Sequence, residues 1–143
     1  MCYRTRIAAS SEGSVLKYRK AEEDGALLIL VVDDDSAVRR ITRAALEGAG
    51  YEVLEAENGN TALRELREHT PMPQILLTDI VMPGMTGLAL AAQVHRLLPG
   101  IRVIFMSGFM EDYRVELTGS VCLQKPFTIA QLLATVRGAE TAC

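Results

Sequence analysis

The stretch that decides the fold is QILLTDIVMPGMTG, residues 74–87. Its apolar run from Ile75 to Leu77 shows no polar alternation and leads to Asp79, and a turn rich in proline and glycine follows at once. Such a run is typical of a strand buried on both faces, as in a parallel sheet covered by helices. Asp79 is therefore predicted at the carboxyl end of a central strand, where open α/β sheets bind ligands. A carboxylate in that place is costly unless it meets a metal, a partner or a chemical task.

Strand and helix patterns alternate along the rest of the chain. Strands are predicted at residues 27–32, 51–56, 74–79, 101–106 and 121–123. Helices are predicted from Ser36 to Gly48, at 61–69, at 87–98, and from Thr128 onward, with Asn58-Gly59 as a turn. In the first helix Ser36 is the expected N-cap, and the apolar face is formed by Val38, Ile41, Ala45 and Leu46. This alternation predicts a doubly wound α/β sheet.

The composition is typical of one globular domain. The chain has 143 residues, 49% hydrophobic and 23% charged, and its net charge of −3 favours no nucleic-acid partner. The longest apolar run, residues 26–32, is too short to span a bilayer, and no apolar segment follows Arg4 and Arg6 to form a signal peptide. We therefore expect a cytoplasmic protein. The expected parts are a flexible arm at 1–25, a folded domain at 26–138 and a tail at 139–143.

Four strand ends carry polar side chains: Asp33 with Asp34, Asp79, Ser107 and Lys125. Right-handed crossovers bring the carboxyl ends of parallel strands to one rim of the sheet, so these side chains are predicted to converge. Three carboxylates in a small space repel one another, which raises their pKa values or recruits a cation. Hard oxygen ligands suit Mg²⁺. With the ammonium of Lys125, the three aspartates and Mg²⁺ would sum to zero charge.

A charge-balanced carboxylate beside Mg²⁺ and an ammonium is suited to phosphoryl transfer. Asp79 could attack a phosphoryl group and hold it as an acyl phosphate. The metal and Lys125 would neutralise the equatorial oxygens, and the Ser107 hydroxyl would donate a hydrogen bond to one of them.

Four motifs together resemble the receiver domain of bacterial two-component response regulators. They are VVDDDS at 31–36, LTDIVMPGMTG at 77–87, FMSG at 105–108 and LQKPF at 123–127. The resemblance covers about residues 26–138, and the sequences of the motifs are most similar to those of receivers of hybrid sensor histidine kinases. It implies a CheY-like, flavodoxin-like fold, a five-stranded parallel sheet in the order 2-1-3-4-5 with helices on both faces.

The resemblance also implies the metal ligands. Asp34 and Asp79 would bind Mg²⁺ directly, the backbone carbonyl of Val81 would be a third ligand, and Asp33 would act largely through water. Asp35 is expected only to cap the following helix.

The resemblance makes Asp79 the phosphoacceptor, Ser107 the switch hydroxyl and Lys125 the partner of the phosphoryl group. It also implies a cis peptide bond between Lys125 and Pro126.

Two departures from the family pattern bear on signalling. The family usually has an aromatic residue three positions before its lysine, where this chain has Cys122. The segment from Ser107 to Lys125 is also shorter than usual by about four residues, roughly one helical turn. The fourth helix is therefore predicted to be short or irregular, and the surface that reads out phosphorylation is predicted to be unusual.

The leading interpretation is a phosphoacceptor without an output domain that acts by docking or by phosphorelay. Its partner would be a histidine kinase or a histidine phosphotransfer protein, with no membrane partner and with a monomeric or weakly dimeric state. It would not be an enzyme, beyond promoting its own phosphorylation and dephosphorylation. One alternative is a receiver-like interaction module with altered switching, which works without phosphorylation.

A further alternative is a Mg²⁺-dependent aspartyl phosphatase that uses Asp33 and Asp35 as an Asp-x-Asp pair. Such enzymes generally need a later acidic pair, and Glu140 is the single acidic residue after Lys125.

The remaining ionisable groups are given ordinary structural roles. Cys2, Cys122 and Cys143 lack zinc-ligand spacing, so reduced thiols are expected, with Cys122 as a small buried hydrophobe. His69 and His95 are expected on exposed helix surfaces, outside any pattern typical of a phosphodonor.

Overall fold

The computed structural model describes residues 27–114, 116–117 and 119–141. The predicted arm at 1–25 and residues 142–143 of the predicted tail lie outside these. The strands are β1 (Leu28–Val32), β2 (Glu52–Ala56), β3 (Ile75–Asp79), β4 (Arg102–Ser107) and β5 (Val121–Gln124). The α-helices of the described residues are α1 (Ser36–Gly48), α2 (Gly59–Glu68), α3 (Gly87–Leu97) and α4 (Ile129–Thr141). A 3-10 helix, Met110–Tyr113, lies between β4 and β5.

The five strands form one parallel sheet in the order β2-β1-β3-β4-β5. This confirms the predicted doubly wound fold and its strand order. All five residues of β3 are buried, as expected for the central strand. The order reverses direction beside β1 and β3, so the ends of these two strands border the crevice where open α/β sheets bind ligands.

Helices cover the sheet on both faces. Alternate strand residues such as Ile29, Val31 and Leu77 pack with α1 and α4, and the intervening residues such as Leu30 and Leu76 pack with α2 and α3. This period-two division follows from the strand pleat, which points successive side chains to opposite faces. None of the helices in the described part of the chain is long and apolar enough to cross a membrane.

Side chains cap the helices where each leaves a strand end. Asp35, not Ser36, is the N-cap of α1, because its carboxylate accepts hydrogen bonds from the backbone N–H groups of Ala37 and Val38. The expected capping role of Asp35 is thus confirmed, and the assignment of Ser36 is wrong by one position. A cap of this kind typically stabilises a helix by about 1 kcal/mol.

The later helices show the same chemistry. Asn58 caps α2 by accepting from the N–H of Thr61, so the predicted Asn58-Gly59 turn is the beginning of the helix. The predicted cap at Thr128 is confirmed. Its hydroxyl accepts from the N–H of Gln131 at 3.0 Å, and the Gln131 side chain accepts from the N–H of Thr128 at 2.8 Å. This reciprocal pair is a capping box.

The packed face of α1 differs from the prediction. Ile41 is 62% exposed, whereas Thr42 is 1% exposed. Thr42 and Leu46 are one helical turn apart and lie on the side that meets the sheet, and Ile41 is rotated by about 100° from Thr42. The prediction is therefore confirmed for Leu46 and for Ala45, which packs against the core, and it is wrong for Ile41, because the chain uses a threonine at the core position.

Thr42→Val is expected to raise the free energy of unfolding by about 1 kcal/mol. The buried Thr42 hydroxyl has no hydrogen-bond partner in the structure, and valine keeps the shape of the side chain without the unpaired polar group. Urea unfolding of the two proteins measures the difference. Thr42→Ser keeps the hydroxyl and loses the methyl group, so it should be less stable than the wild type. Destabilisation by valine would show that the hydroxyl is bonded.

The predicted short fourth helix is confirmed, because the 3-10 helix is the helical element between β4 and β5 among the described residues. Leu117 fills part of the space beneath it and packs with Ile80, Ala91 and Phe105. β5 forms the edge of the sheet, and its residue Cys122 is exposed, so the prediction of a buried thiol is wrong. The neighbouring residue Val121 is exposed as well, at the start of the same edge strand.

The two histidines differ from each other. His95 is exposed, as predicted. His69 is half-buried at the end of α2, and its Nε2 lies 2.7 Å from the Glu65 carboxylate one turn earlier, so the prediction of an exposed side chain is wrong for this residue.

Candidate functional site

The strand registers set which polar residues become neighbours at the carboxyl rim. Val32 of β1 pairs with Thr78 of β3, so the next residues, Asp33 and Asp79, leave adjacent strands side by side. Asp79 in turn pairs with Met106 of β4. On the far side, Ser107 of β4 pairs with Gln124 of β5, which places Lys125 beside it. Residues far apart in the chain are thus brought to one rim by backbone pairing.

Three carboxylates gather at this rim. Asp33, Asp34 and Asp79 each offer an oxygen within 4.8 Å of the others. Asp33 and Asp79 are buried, whereas Asp34 is exposed to solvent. A set of hard oxygen donors open to water on one side fits a hydrated divalent cation such as Mg²⁺.

Lys125 joins two of the three carboxylates. Its Nζ lies 2.8 Å from Oδ2 of Asp33 and 3.1 Å from Oδ2 of Asp79. Burial acts to lower the pKa of the Lys125 ammonium, but the hydrogen bonds and charges of the two aspartates outweigh burial and raise the pKa. The amine is therefore held in its charged form between two acids.

The pKa of Asp79 is raised above its usual value. Burial is the largest cause, the charge of Lys125 opposes it, and the charges of Asp33 and Asp34 act in the same direction as burial. The ionised form of Asp79 is thus destabilised by its surroundings in the absence of a metal. A cation that relieves this repulsion is favoured at this position.

Ser107 lies on the same rim but outside the ion-paired cluster. It is buried, and its hydroxyl oxygen accepts a hydrogen bond of 2.9 Å from the N–H of Phe109. Its carbonyl accepts from the N–H of Lys125 at 2.9 Å, so the two residues are tied together by the backbone.

The turn after β3 is closed by Gly87. The N–H of Gly87 donates to the carbonyl of Ile80 at 2.8 Å, and a Cβ at position 87 would collide with the backbone carbonyl oxygen of Asp79. Only glycine lets α3 begin this close to the end of β3. Val81 lies within this turn with its side chain half exposed, next to the acidic cluster in the chain.

The structure therefore brings carboxylate oxygens of Asp33, Asp34 and Asp79 within 4.8 Å of one another and the Lys125 amine into contact with Asp33 and Asp79. Ser107 lies at the same rim, and Val81 lies in the turn that follows Asp79. Their chemical roles stay predictions. The Lys125-Pro126 peptide bond is cis, as predicted. The Thr70-Pro71 peptide bond, for which no prediction was made, is also cis.

Sequence reasoning missed Arg39. Its Nη1 donates to the backbone carbonyl of Asp33 at 2.7 Å, and its Nε donates to Glu55 at 3.0 Å. No local pattern indicates this contact, because Glu55 belongs to a different element and the acceptor on Asp33 is a main-chain oxygen. Sequence alone offers only one of the three arginines of α1.

The sequence model of the response regulator receiver domain matches residues 29–137. The chain belongs to the response regulator receiver domain family. This receiver is therefore of the CheY-like kind that operates in two-component systems. The rim described above is formed by residues from all four motifs that carry the resemblance.

The receiver is similar to parts of larger proteins. It is 36% identical over 126 residues to the sensor kinase CckA of Brucella abortus, covering 85% of this chain and 13% of that protein. It is 40% identical over 116 residues to the DNA-binding transcriptional regulator NtrC of Salmonella typhimurium, covering 78% of this chain and 24% of that protein. The receiver thus spans less than a quarter of the length of either relative.

Solved structures show the same fold. The crystal structure of the receiver domain from the hybrid histidine kinase CckA superimposes with a TM-score of 0.70 at 34% identity, covering 80% of this chain and 99% of that domain.

Proposed function

We propose that this receiver accepts a phosphoryl group on Asp79 from a histidine kinase or a histidine phosphotransfer protein, in the presence of Mg²⁺. The observation that carries the proposal is the contact of the Lys125 amine with Asp33 and Asp79, beside a third carboxylate on Asp34. An amine and a divalent cation around one acid are what a phosphoryl acceptor needs, because the incoming group adds negative charge to a site that is already acidic.

The proposed metal ligands are Asp34, Asp79 and the Val81 carbonyl, with Asp33 acting largely through water. When bound, Mg²⁺ would neutralise phosphoryl oxygens and offset the repulsion among the carboxylates. The proposal is supported by the donor set, since three carboxylate oxygens within 4.8 Å fit the cation, and by the exposure of Asp34, which leaves room for its waters.

The chain's own residues have distinct parts in the transfer. A carboxylate oxygen of Asp79 forms the bond to phosphorus, while the bond from phosphorus to the donor's histidine nitrogen breaks and that nitrogen keeps the electron pair. The Lys125 ammonium lies 3.1 Å from Asp79, so it can pair with the phosphoryl group as it arrives. Ser107 would rotate its hydroxyl away from Phe109 and donate to a phosphoryl oxygen.

The phosphoryl group would act by shifting an equilibrium between two conformations. The shift is limited by the difference in the contacts that the group makes in each. We place this exchange in the cytoplasm, where the receiver would dock on a partner or pass the group on. The similarity to the receiver of the CckA hybrid histidine kinase supports a phosphorelay partner.

Phosphorylation by a small-molecule donor tests the proposal directly. Incubation with acetyl phosphate and Mg²⁺ is expected to add one phosphoryl group by intact-mass measurement. EDTA should prevent the addition, and hydroxylamine should remove the group because an acyl phosphate is labile to it. A chain that takes up no phosphoryl group from acetyl phosphate or from any histidine kinase would contradict the proposal. Steady hydrolysis of p-nitrophenyl phosphate would support the aspartyl phosphatase alternative instead.

A second candidate, a receiver with altered switching, is favoured by two observations. In the described part of the segment between β4 and β5, the helical element is a single 3-10 turn. Cys122, which pairs with Phe105 in the sheet, is exposed where the family usually has an aromatic residue. In this alternative partners bind without phosphorylation. Equal partner affinity before and after phosphoryl uptake would favour it.

Mg²⁺ is expected to stabilise the wild-type protein against heat. At about 10 mM Mg²⁺ and a dissociation constant of about 1 mM, the free energy of unfolding should rise by about 1.4 kcal/mol through mass action. Asp34→Ala is expected to remove this rise, since it deletes the solvent-facing ligand, and to leave the metal-free protein equally or more stable because one repelling charge is gone. Thermal unfolding with and without Mg²⁺ measures both effects. An unchanged Mg²⁺ response in Asp34→Ala would exclude Asp34 as a ligand.

A further inference from the structure

Asp33 has a hydrogen-bond partner at each of its polar atoms. Its N–H donates to the carbonyl of Ala56 at 3.2 Å. Its two side-chain oxygens accept from the N–H of Asp35 at 2.9 Å and from the amine of Lys125 at 2.8 Å. Its carbonyl accepts from Arg39 at 2.7 Å. The end of β1 is therefore fixed in orientation as well as in position.

Arg39 supplies the bond that reaches farthest from the rim. One arm of its guanidinium binds the Asp33 carbonyl, and Nε binds Oε1 of Glu55 on β2 at 3.0 Å. The other oxygen of Glu55 accepts from Arg43 at 2.8 Å. Burial alone acts to raise the pKa of Glu55, but the hydrogen bonds from Arg43 and Arg39 outweigh it, so that the pKa is lowered. The Arg39 guanidinium thus ties the end of β1 to an ionised group on the neighbouring strand.

The Asp33 carbonyl controls the direction of Asp34. That oxygen belongs to the same planar peptide unit as the N–H of Asp34. A hydrogen bond to it therefore fixes the orientation of the peptide plane that leads into Asp34. The Asp34 carboxylate itself is exposed and makes no hydrogen bond or ion pair with the residues that the structure describes. Its place within 4.8 Å of the other two carboxylates is therefore determined by the backbone.

We propose that Arg39 is a positioning residue for the cation site, which it serves by holding the Asp33-Asp34 peptide against Glu55. The proposal rests on the proposed function, because it concerns the Mg²⁺ that phosphoryl uptake needs. Glu55 balances the charge of Arg39, so the contact orients Asp34 without adding net positive charge that would compete with the metal. Arg39 reaches the Asp33 carbonyl and the Glu55 carboxylate with two different nitrogens of one rigid fork, a geometry that the single nitrogen of an ammonium does not provide.

Calorimetric titration with Mg²⁺ compares Arg39→Gln with a matched control, Arg43→Gln. Both variants remove one charged partner of Glu55, but of the two arginines only Arg39 contacts Asp33. Arg39→Gln is expected to weaken Mg²⁺ binding by tenfold or more, the size of effect seen when residues that orient metal ligands are removed. Arg43→Gln is expected to change it by less than about twofold. Arg39→Lys keeps the positive charge but should also bind Mg²⁺ weakly.

The outcomes separate the two proposals. If the wild-type protein binds no Mg²⁺, the proposed function is overturned. If the wild type binds Mg²⁺ and the Arg39 and Arg43 variants bind it equally well, the positioning role of Arg39 is overturned and the proposed function stands.

A metal-free readout guards against simple loss of folding. The chemical shift of the Asp34 amide in the nuclear magnetic resonance spectrum should change in Arg39→Gln and Arg39→Lys and should stay the same in Arg43→Gln. Unfolding midpoints in EDTA would show whether each variant is folded. If the glutamine variant does not fold, the lysine variant decides: wild-type Mg²⁺ affinity together with an unmoved Asp34 resonance overturns the proposal.

Discussion

Asp79→Asn is expected to reduce phosphoryl uptake from acetyl phosphate below detection. The amide has the shape of the carboxylate but not its nucleophilic oxygen, and it cannot form the acyl phosphate. The intact mass after incubation with acetyl phosphate and Mg²⁺ measures the loss. The matched control is Asp35→Asn, because Asp35 lies two residues from Asp33 yet only caps α1, and asparagine also caps well. Uptake should persist in the control. Labelling of Asp79→Asn to the wild-type level would mean that another residue is the acceptor.

The same variant should be more stable than the wild type in the absence of metal. The pKa of Asp79 is raised in the folded protein, first by burial and also by Asp33 and Asp34. The folded state therefore binds this proton more tightly than the unfolded chain, and ionisation at neutral pH opposes folding. That penalty is present above the folded pKa and disappears as the pH falls through it. The gain from asparagine should accordingly be seen at pH 7 and should vanish at low pH.

Lys125→Met is expected to lower the free energy of unfolding of the metal-free protein by about 3 kcal/mol at pH 7. Methionine fills similar volume but leaves the carboxylates of Asp33 and Asp79 without the ammonium that lies within 3.1 Å of each. A buried charge that loses its partner keeps the full desolvation penalty. Urea unfolding in EDTA measures the loss.

Two conditions should recover part of that loss. Mg²⁺ replaces the missing positive charge, and mild acid protonates Asp79, whose pKa is already raised and rises further without Lys125. Stability of Lys125→Met should therefore increase as the pH is lowered from neutral to mildly acidic, through the raised pKa of Asp79. A variant whose stability loss is the same at both pH values and in Mg²⁺ would show that Lys125 acts through packing of its stem.

The residues at the rim could be predicted from two sources, the local sequence pattern of each strand and the general handedness of strand crossovers. The buried run ending at Asp79 indicates a central strand, and crossover handedness then sends every strand end to one edge. Asp33, Asp34 and Lys125 needed no further knowledge to be placed together. In α1 the core position of Thr42 was missed, because threonine carries a methyl group and a hydroxyl and a hydropathy pattern counts it as polar.

Other features depend on contacts between distant elements. The exposure of Cys122 depends on how much of the sheet edge the preceding segment covers, which neither its spacing nor its type indicates. The contact of Arg39 with Asp33 uses a main-chain acceptor, so no pairing of residue types points to it.

Helix caps depend on the backbone angle at one residue, which is why Asp35 and its neighbour Ser36 were equally plausible from sequence.

The close approach of Gly87 to the Asp79 carbonyl sets the mutational tolerance of the turn. Gly84 also lies there with a φ of 78°, and a Cβ at position 84 would meet open space, so the cost of a substitution there is the strain of the left-handed backbone, which asparagine tolerates better than other side chains. At position 87 even a single methyl group would displace the backbone that bears the acidic side chain. Substitution in this turn is therefore limited by backbone strain at position 84 and by lack of space at position 87, where the second hydrogen on the α-carbon has no substitute.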